Sequence, residues 1–130
     1  MGVRFSLTMD AADPVALARF WAAALGDRQL GGPDPGEDGT GEWATLDDPS
    51  GQGPNLFFQR VPEAKIAKNR LHLDLDVAGE GTFEEKRARI DAERDRLKAL
   101  GASDHRGVHA EGRSYWIRMN DPEGNEFCLV

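Results

Sequence analysis

A nine-residue pattern that occurs twice constrains the fold of this chain more than any other feature. Residues 43–51 and residues 116–124 both read Trp-x-x-apolar-(Asp or Asn)-Asp-Pro-x-Gly. Asp, Pro and Gly at these spacings are typical of a type I turn, because Pro fixes φ and the Asp side chain bonds back to the backbone. Each copy therefore predicts two short strands joined by a tight turn, and the repetition predicts a duplicated architecture.

Each half of the chain predicts the same order of elements: one strand, one helix and three further strands. In the first half, Asp13 and Pro14 mark the start of a helix and Gly26 marks its end. In the second half, Thr82 and Glu85 form a capping box at the start of another helix. The expected elements are strand 3–9, helix 15–25, strand 28–30, an acidic loop at 31–41, strands 42–46 and 55–61, strand 70–77, helix 82–100, strand 102–108 and the closing hairpin after residue 116.

The predicted fold class is therefore α+β, with two βαβββ modules at residues 1–62 and 69–130. One helix covers only one face of a four-stranded sheet, so the other face of each sheet needs a partner. We expect the two modules to pack as curled mixed sheets around a cup, within a single domain.

Composition and charge exclude several classes of partner. The chain has 130 residues and a formal net charge of −7, which argues against binding to nucleic acid or to anionic membranes. No apolar run is long enough to span a membrane, and the first residues do not resemble a signal segment, so we expect a cytoplasmic protein. The single cysteine, Cys128, excludes an internal disulfide and a Cys-rich zinc site, and it is expected to be a buried thiol.

Four short motifs resemble those of a known family. They are Phe20-Trp21 late in the first helix, Leu25-Gly26 after it, NRLHLD at residues 69–74 and DPEGNE at residues 121–126. Together they are similar to the vicinal oxygen chelate superfamily, and in particular to its glyoxalase-like domains. The resemblance implies the two-module fold, a small-molecule ligand in the cup and a homodimer.

The resemblance also implies metal ligands on the first and last strands of each module. In the second module, His72 and Glu126 stand near those positions, and we predict them as the catalytic and metal-binding residues. An imidazole and a carboxylate suit Zn, Ni, Mn or Fe(II).

The first module offers weaker ligands. On its first strand the corresponding position holds Ser6, or Arg4 or Thr8 if the register differs, and on its last strand Gln59 is the candidate. A neutral amide oxygen is a weak donor for transition metals. The incomplete set leaves two expectations open: one divalent metal, or no metal at all.

Further polar and aromatic residues are predicted to line the ligand site. His72, Asp74 and Asp76 alternate with apolar residues, which places three polar groups on one face of the strand. Such a face is costly to bury unless it meets water, a ligand or other polar groups, so it indicates either a polar cavity or a satisfied core network. The predicted ligand-binding residues are Gln59, Asp74, Phe57, Trp116 and Arg118.

Three functions are consistent with these residues. The first is a glyoxalase-like protein that binds a small molecule in the cup and acts as a metal-dependent lyase, isomerase or dioxygenase. The second is a metal-free protein that binds or sequesters a small molecule or an antibiotic. The third is an interaction module without a working cup. Fold alone does not decide among them.

Overall fold

The computed structural model describes residues 2–32 and 41–130. These residues form two compact units, Met1–Ala64 and Lys65–Val130. Most of the predicted acidic loop at 31–41 lies outside the described residues. Only its first two residues and its last residue are described. No helix among the described residues is long and apolar enough to cross a membrane.

The first unit is a four-stranded mixed sheet with one helix. Its strands lie in the order β1-β4-β3-β2, with β1 parallel to β4 and the other neighbours antiparallel. The elements are β1 (Ser6–Ala11), α1 (Pro14–Leu25), β2 (Gln29–Gly31), β3 (Trp43–Asp47) and β4 (Asn55–Arg60). The last strand of the unit is thus a central strand of its sheet.

Helix α1 begins and ends at the residues that the sequence predicts. The backbone N–H of Ala16 donates to Oδ1 of Asp13 at 3.1 Å, and Pro14 occupies the first helical turn. Gly26 follows the helix with a φ of 65°, a conformation that glycine adopts without strain. The apolar face of α1 packs on the sheet, and together they bury Leu17, Phe20, Trp21, Ala44, Leu46, Leu56 and Phe58.

The second unit repeats this arrangement. Its strands lie in the order β5-β8-β7-β6, with β5 parallel to β8. The elements are β5 (Leu73–Leu75), α2 (Phe83–Ala99), β6 (Ser103–Glu111), β7 (Ser114–Asn120) and β8 (Glu126–Leu129). The α+β fold of two βαβββ modules is confirmed.

Helix α2 is a charged helix with a narrow buried stripe. The predicted capping box is present, because Thr82 accepts from the Glu85 N–H while the Glu85 carboxylate accepts from the Thr82 N–H. Ile90 and Leu97 are its buried residues. The sheet face that packs with them contributes Leu75, Ile117, Met119, Phe127 and Leu129.

Several element boundaries differ from the prediction. The first strand begins at Ser6 rather than at residue 3. The strand predicted at 70–77 is only Leu73–Leu75, because it has just three partners on the four-residue strand β8. Leu71, which belongs to the apolar residues of the alternating pattern, is exposed, and His72 lies immediately before the strand. The strand predicted at 102–108 is β6, which extends to Glu111, so that both His105 and His109 lie on it.

Strand pairing also corrects the alignment of the two copies. Leu46 pairs with Leu56 in the first unit, and Met119 pairs with Phe127 in the second. Since Leu46 and Met119 occupy the same place in the repeat, Leu56 corresponds to Phe127, and Asn55 therefore corresponds to Glu126. An alignment by sequence alone that matched Asn55 with Asn125 would be off by one position, because the first turn is longer than the second.

The candidate functional site

The second unit contains an open cleft of about 650 Å³. Five of the residues that line it carry the chemistry considered below: His72, Asp74, Trp116, Arg118 and Cys128. Four of them were predicted as site residues from the sequence, and the structure brings those four together.

The sheet of the second unit explains why these side chains converge. Asp74 on β5 pairs with Cys128 on β8, and Cys128 pairs with Arg118 on β7. Residues paired directly across strands share a face, and alternate residues along a strand share it too. Asp74, Cys128, Arg118 and Trp116 therefore stand on the face opposite the buried Phe127 and Leu129.

His72 and Asp74 form a close polar pair. The Nε2 atom of His72 lies 3.1 Å from Oδ1 of Asp74, and both side chains remain substantially exposed. With Cys128 they form a cluster in which one donor atom from each residue lies within 4.8 Å of the others. The Cys128 thiol is buried, and burial, followed by the negative charge of Asp74, raises its pKa.

Arg118 brings a positive charge to this face. It forms none of the ion pairs found among the described residues, and it lies beside the Cys128 thiol. A guanidinium with open donors is suited to bidentate binding of a carboxylate or a phosphoryl group.

Trp116 forms an aromatic wall with a residue that the sequence did not indicate. Its ring stacks on that of His109, with centroids 5.2 Å apart and planes 8° apart. The Nε2 atom of His109 is buried and has no hydrogen-bond partner among the described residues. The signal that would have found His109 is its register, since it pairs with Trp116 on the neighbouring strand.

Glu126 has a different environment from the one expected of a metal ligand. Its Oε1 accepts from Nζ of Lys65 at 3.0 Å, and its Oε2 accepts from the backbone N–H of Asn69 at 3.0 Å. Burial raises the pKa of Glu126, but the Asn69 N–H and the Lys65 ammonium outweigh it, so that the pKa is lowered overall. Both carboxylate oxygens are thus already bound by the segment that precedes β5.

The two predicted residues of the first unit lie on the sheet face opposite α1. Gln59 donates from Nε2 to Oδ1 of Asp10 at 2.7 Å. Phe57 stacks on Trp43, with ring centroids 5.8 Å apart. By the register of the sheets Ser6 corresponds to His72, so the first unit has a hydroxyl where the second has an imidazole.

The fit of the divalent metal implied by the family resemblance depends on the donor atoms that the predicted ligand positions offer. The pair His72 and Glu126 does not fit well, because Lys65 already neutralises the carboxylate. The corresponding residues of the first unit, Ser6 and Asn55, are neutral and weak ligands. His72, Asp74 and Cys128 are the group of three potential ligands found among the described residues.

Comparison with known proteins identifies the family. A family model described as a glyoxalase-like domain matches residues 6–130. The chain belongs to the glyoxalase-like family. No curated protein matches the sequence.

Solved structures support the glyoxalase-like fold. A glyoxalase/bleomycin resistance protein/dioxygenase family enzyme from Burkholderia phytofirmans PsJN is 19% identical, with a TM-score of 0.64 over 95% of this chain and 94% of that one. A mutant of the fosfomycin resistance protein FosX from Listeria monocytogenes, complexed with Mn(II) and 1S,2S-dihydroxypropylphosphonic acid, is 12% identical, with a TM-score of 0.69 over 99% and 91%. Lactoylglutathione lyase from Agrobacterium tumefaciens is 16% identical, with a TM-score of 0.59 over 99% and 92%. At these identities the likeness shows the vicinal oxygen chelate fold alone.

Proposed function

We propose that this glyoxalase-like protein binds a small molecule carrying an anionic oxygen group in the cleft of the second unit. The observation that carries the proposal is the guanidinium of Arg118, which has no carboxylate partner among the described residues and lines the cleft beside Trp116. A cation held on a central strand between an aromatic wall and polar groups recognises a carboxylate, phosphate or phosphonate.

The size of the cleft supports a small-molecule ligand. Its volume of about 650 Å³ falls within the roughly 300–1,000 Å³ of ligand pockets in general. Trp116 and Phe83 supply apolar surface, while Arg118 and His72 supply the few polar contacts that fix a ligand's orientation. Among the similar structures, the FosX mutant is complexed with 1S,2S-dihydroxypropylphosphonic acid, a small molecule with an anionic phosphonate group, and the Agrobacterium tumefaciens protein is named a lactoylglutathione lyase.

Catalysis of a lyase, isomerase or dioxygenase reaction is the further proposal, with His72 in the catalytic role. A divalent metal, when bound, would polarise oxygen atoms of the ligand. The catalytic and metal-binding role predicted for Glu126 stays a prediction, and the ion pair with Lys65 argues against it.

The second candidate is metal-free binding or sequestration of the ligand. The ion pair between Lys65 and Glu126 favours this metal-free function, because Lys65 already supplies a positive charge at the Glu126 carboxylate. The predicted roles of Gln59 and Phe57 in ligand binding, the homodimer and the cytoplasmic location also stay predictions.

Calorimetric titration of the full chain with small phosphonates and 2-hydroxycarboxylates tests the binding proposal. We expect Arg118→Gln to weaken binding by about 10- to 100-fold, the equivalent of losing charged hydrogen bonds. Arg19→Gln, at an exposed position of α1, is the matched control and should bind as the parent does. Binding of neutral analogues as tightly as the anions, or an unchanged affinity in Arg118→Gln, would refute the proposal.

The same titration separates the two candidate functions. It is repeated with a chelator present, and turnover is assayed with Zn, Ni, Mn and Fe(II) added in turn. Binding that survives the chelator, with no turnover under any metal, selects sequestration. Turnover that requires a metal selects the enzyme.

A further inference from the structure

We propose that His72, Asp74 and Cys128 form a binding site for a thiophilic divalent metal, with Zn²⁺ as the type case. This set shares only His72 with the pair predicted from the family resemblance. The metal would be held by the face of β5 and β8 within the cleft and would not require the anionic ligand. The proposal therefore goes beyond the proposed function, although both use the same cleft.

The distances among the donor atoms suit a shared ion. In a tetrahedral zinc site, metal–ligand bonds of about 2.0–2.3 Å place neighbouring ligand atoms roughly 3.3–3.6 Å apart. The Nε2 atom of His72 and Oδ1 of Asp74 are 3.1 Å apart, and the sulfur of Cys128 completes a set within 4.8 Å. The three donor atoms therefore lie close enough together for one ion to contact all of them.

The chemistry of the donors selects the metal. One thiolate and one carboxylate neutralise a divalent cation, and an imidazole completes a mixed S, N, O set that Zn²⁺ accepts. Hard cations such as Mn²⁺ prefer oxygen ligands, so a thiolate disfavours them. Metal binding releases the thiol proton to solvent, as it does at other cysteine sites.

Burial and exposure leave the site accessible from one side. The Cys128 side chain lies at the base of the cleft, and Cys128 is only 6% exposed. The side chains of His72 and Asp74 are 43% and 59% exposed, so an ion can enter from solvent. Three protein ligands leave a fourth position for water or for another ligand.

Glu126 is excluded from this site by its own contacts. The Lys65 ammonium and the Asn69 N–H occupy its two oxygens, while no lysine or arginine among the described residues forms an ion pair with Asp74, whose close partner is His72. The carboxylate that serves the metal is therefore Asp74, two positions after His72 on β5.

The test uses the full chain, stripped of metal, and Co²⁺ as a spectroscopic substitute for Zn²⁺. We expect one equivalent of Co²⁺ to produce the intense near-ultraviolet charge-transfer band of a cobalt–thiolate bond. The band should vanish in Cys128→Ser and persist in Glu126→Gln. Zn²⁺ should displace Co²⁺, and Mn²⁺ should not.

A second pair of variants keeps the test decisive if Cys128→Ser folds poorly. Asp74 and Asp76 are both exposed carboxylates that line the cleft, so neither substitution disturbs the core. Asp74→Asn should weaken Zn²⁺ binding by at least about 10- to 100-fold, and Asp76→Asn should change it by no more than about twofold.

Three results would overturn the proposal: cobalt binding without a thiolate band, loss of binding in Glu126→Gln, or equal affinities of Asp74→Asn and Asp76→Asn. Failure of the anionic ligands to bind, with the thiolate band present, would refute the proposed function and leave the metal site standing. Binding of the anionic ligands without a cobalt–thiolate band would refute the metal site and leave the proposed function standing.

Discussion

Replacing Lys65 with Met tests the ion pair between Lys65 and Glu126. This ion pair occupies the carboxylate that the family resemblance predicts as a metal ligand. The substitution removes the ammonium that lies 3.0 Å from Oε1 of Glu126 and keeps most of the apolar stem. Glu126 then retains the Asn69 N–H but loses its compensating charge.

The burial of the pair sets the size of the effect. The side chains of Lys65 and Glu126 are 24% and 12% exposed, so the pair lies between a surface ion pair and a buried one. Exposed pairs contribute about 0.2–1 kcal/mol, and breaking a fully buried pair costs roughly 3–5 kcal/mol. We expect Lys65→Met to lower the free energy of unfolding by about 1–2 kcal/mol at neutral pH.

The effect should depend on pH with a definite sign. Burial raises the pKa of Glu126, but its hydrogen bonds with Asn69 and Lys65 lower it overall from 4.5. A group whose folded-state pKa is lowered stabilises the fold above its ordinary pKa, and that stability is lost as the pH falls through the lowered value. The difference between Lys65→Met and the parent should therefore narrow as the pH falls below 4.5.

Urea denaturation at neutral pH and near pH 4 measures both effects. Lys68→Met, an exposed position in the same segment, is the control for loss of a lysine. A double-mutant cycle with Glu126→Gln should give a coupling energy of about 1 kcal/mol. A penalty that is equal at both pH values, or additive with Glu126→Gln, would show that the ion pair does not stabilise the unit.

Two further predictions concern buried or paired carboxylates. Asp121 is almost fully buried, and its carboxylate accepts from the N–H groups of Glu123 and Asn125 and from the Asn125 side chain. Asp121→Ala should therefore lower the free energy of unfolding, measured by urea denaturation, by about 2–4 kcal/mol. A loss smaller than that of Thr82→Ala, which removes a single helix cap worth about 1 kcal/mol, would contradict this prediction. The pKa of Asp104 is lowered from 3.8 to about 2, chiefly by the Arg94 hydrogen bond. Asp104→Asn should therefore lower the free energy of unfolding by about 1 kcal/mol at neutral pH, after allowance for solvent screening. In thermal melts the loss should become progressively smaller as the pH falls from 3.8 toward 2. A loss of stability that does not change with pH would be inconsistent with the ion pair.

Local signals in the sequence were sufficient to predict most of the fold. The repeated Trp-to-Gly pattern, the cap at Asp13 and the capping box at Thr82 are interactions between residues close in the chain, and the structure contains all of them. The length of β5 was overestimated because strand length depends on a distant partner. Alternation continues from residue 70 to residue 77, but β8 pairs with only three of those residues.

The sequence predicted those residues of the candidate site that can be recognised from the pattern of a single strand. His72, Asp74, Trp116 and Arg118 each lie on a polar or alternating face that the sequence displays. Cys128, judged an inert buried thiol, joins this group only through the pairing of β8 with its two neighbours. The contact of Lys65 with Glu126 joins residues 61 positions apart through an irregular segment, for which the sequence carries no periodic signal.

The parallel pairing within each unit has a consequence for how the chain folds. In the first unit Asp10 finds its neighbour Gln59 only after 49 intervening steps along the chain, and β4 separates β1 from β3. The strand synthesised last in each unit is the one that joins the earlier strands into a four-stranded sheet, so the helix and the antiparallel pair of β2 and β3 are expected to form before that sheet is complete. Pairing over such separations is slow compared with helix formation. Each unit is therefore expected to close in one late step, when β4 or β8 inserts between strands already made.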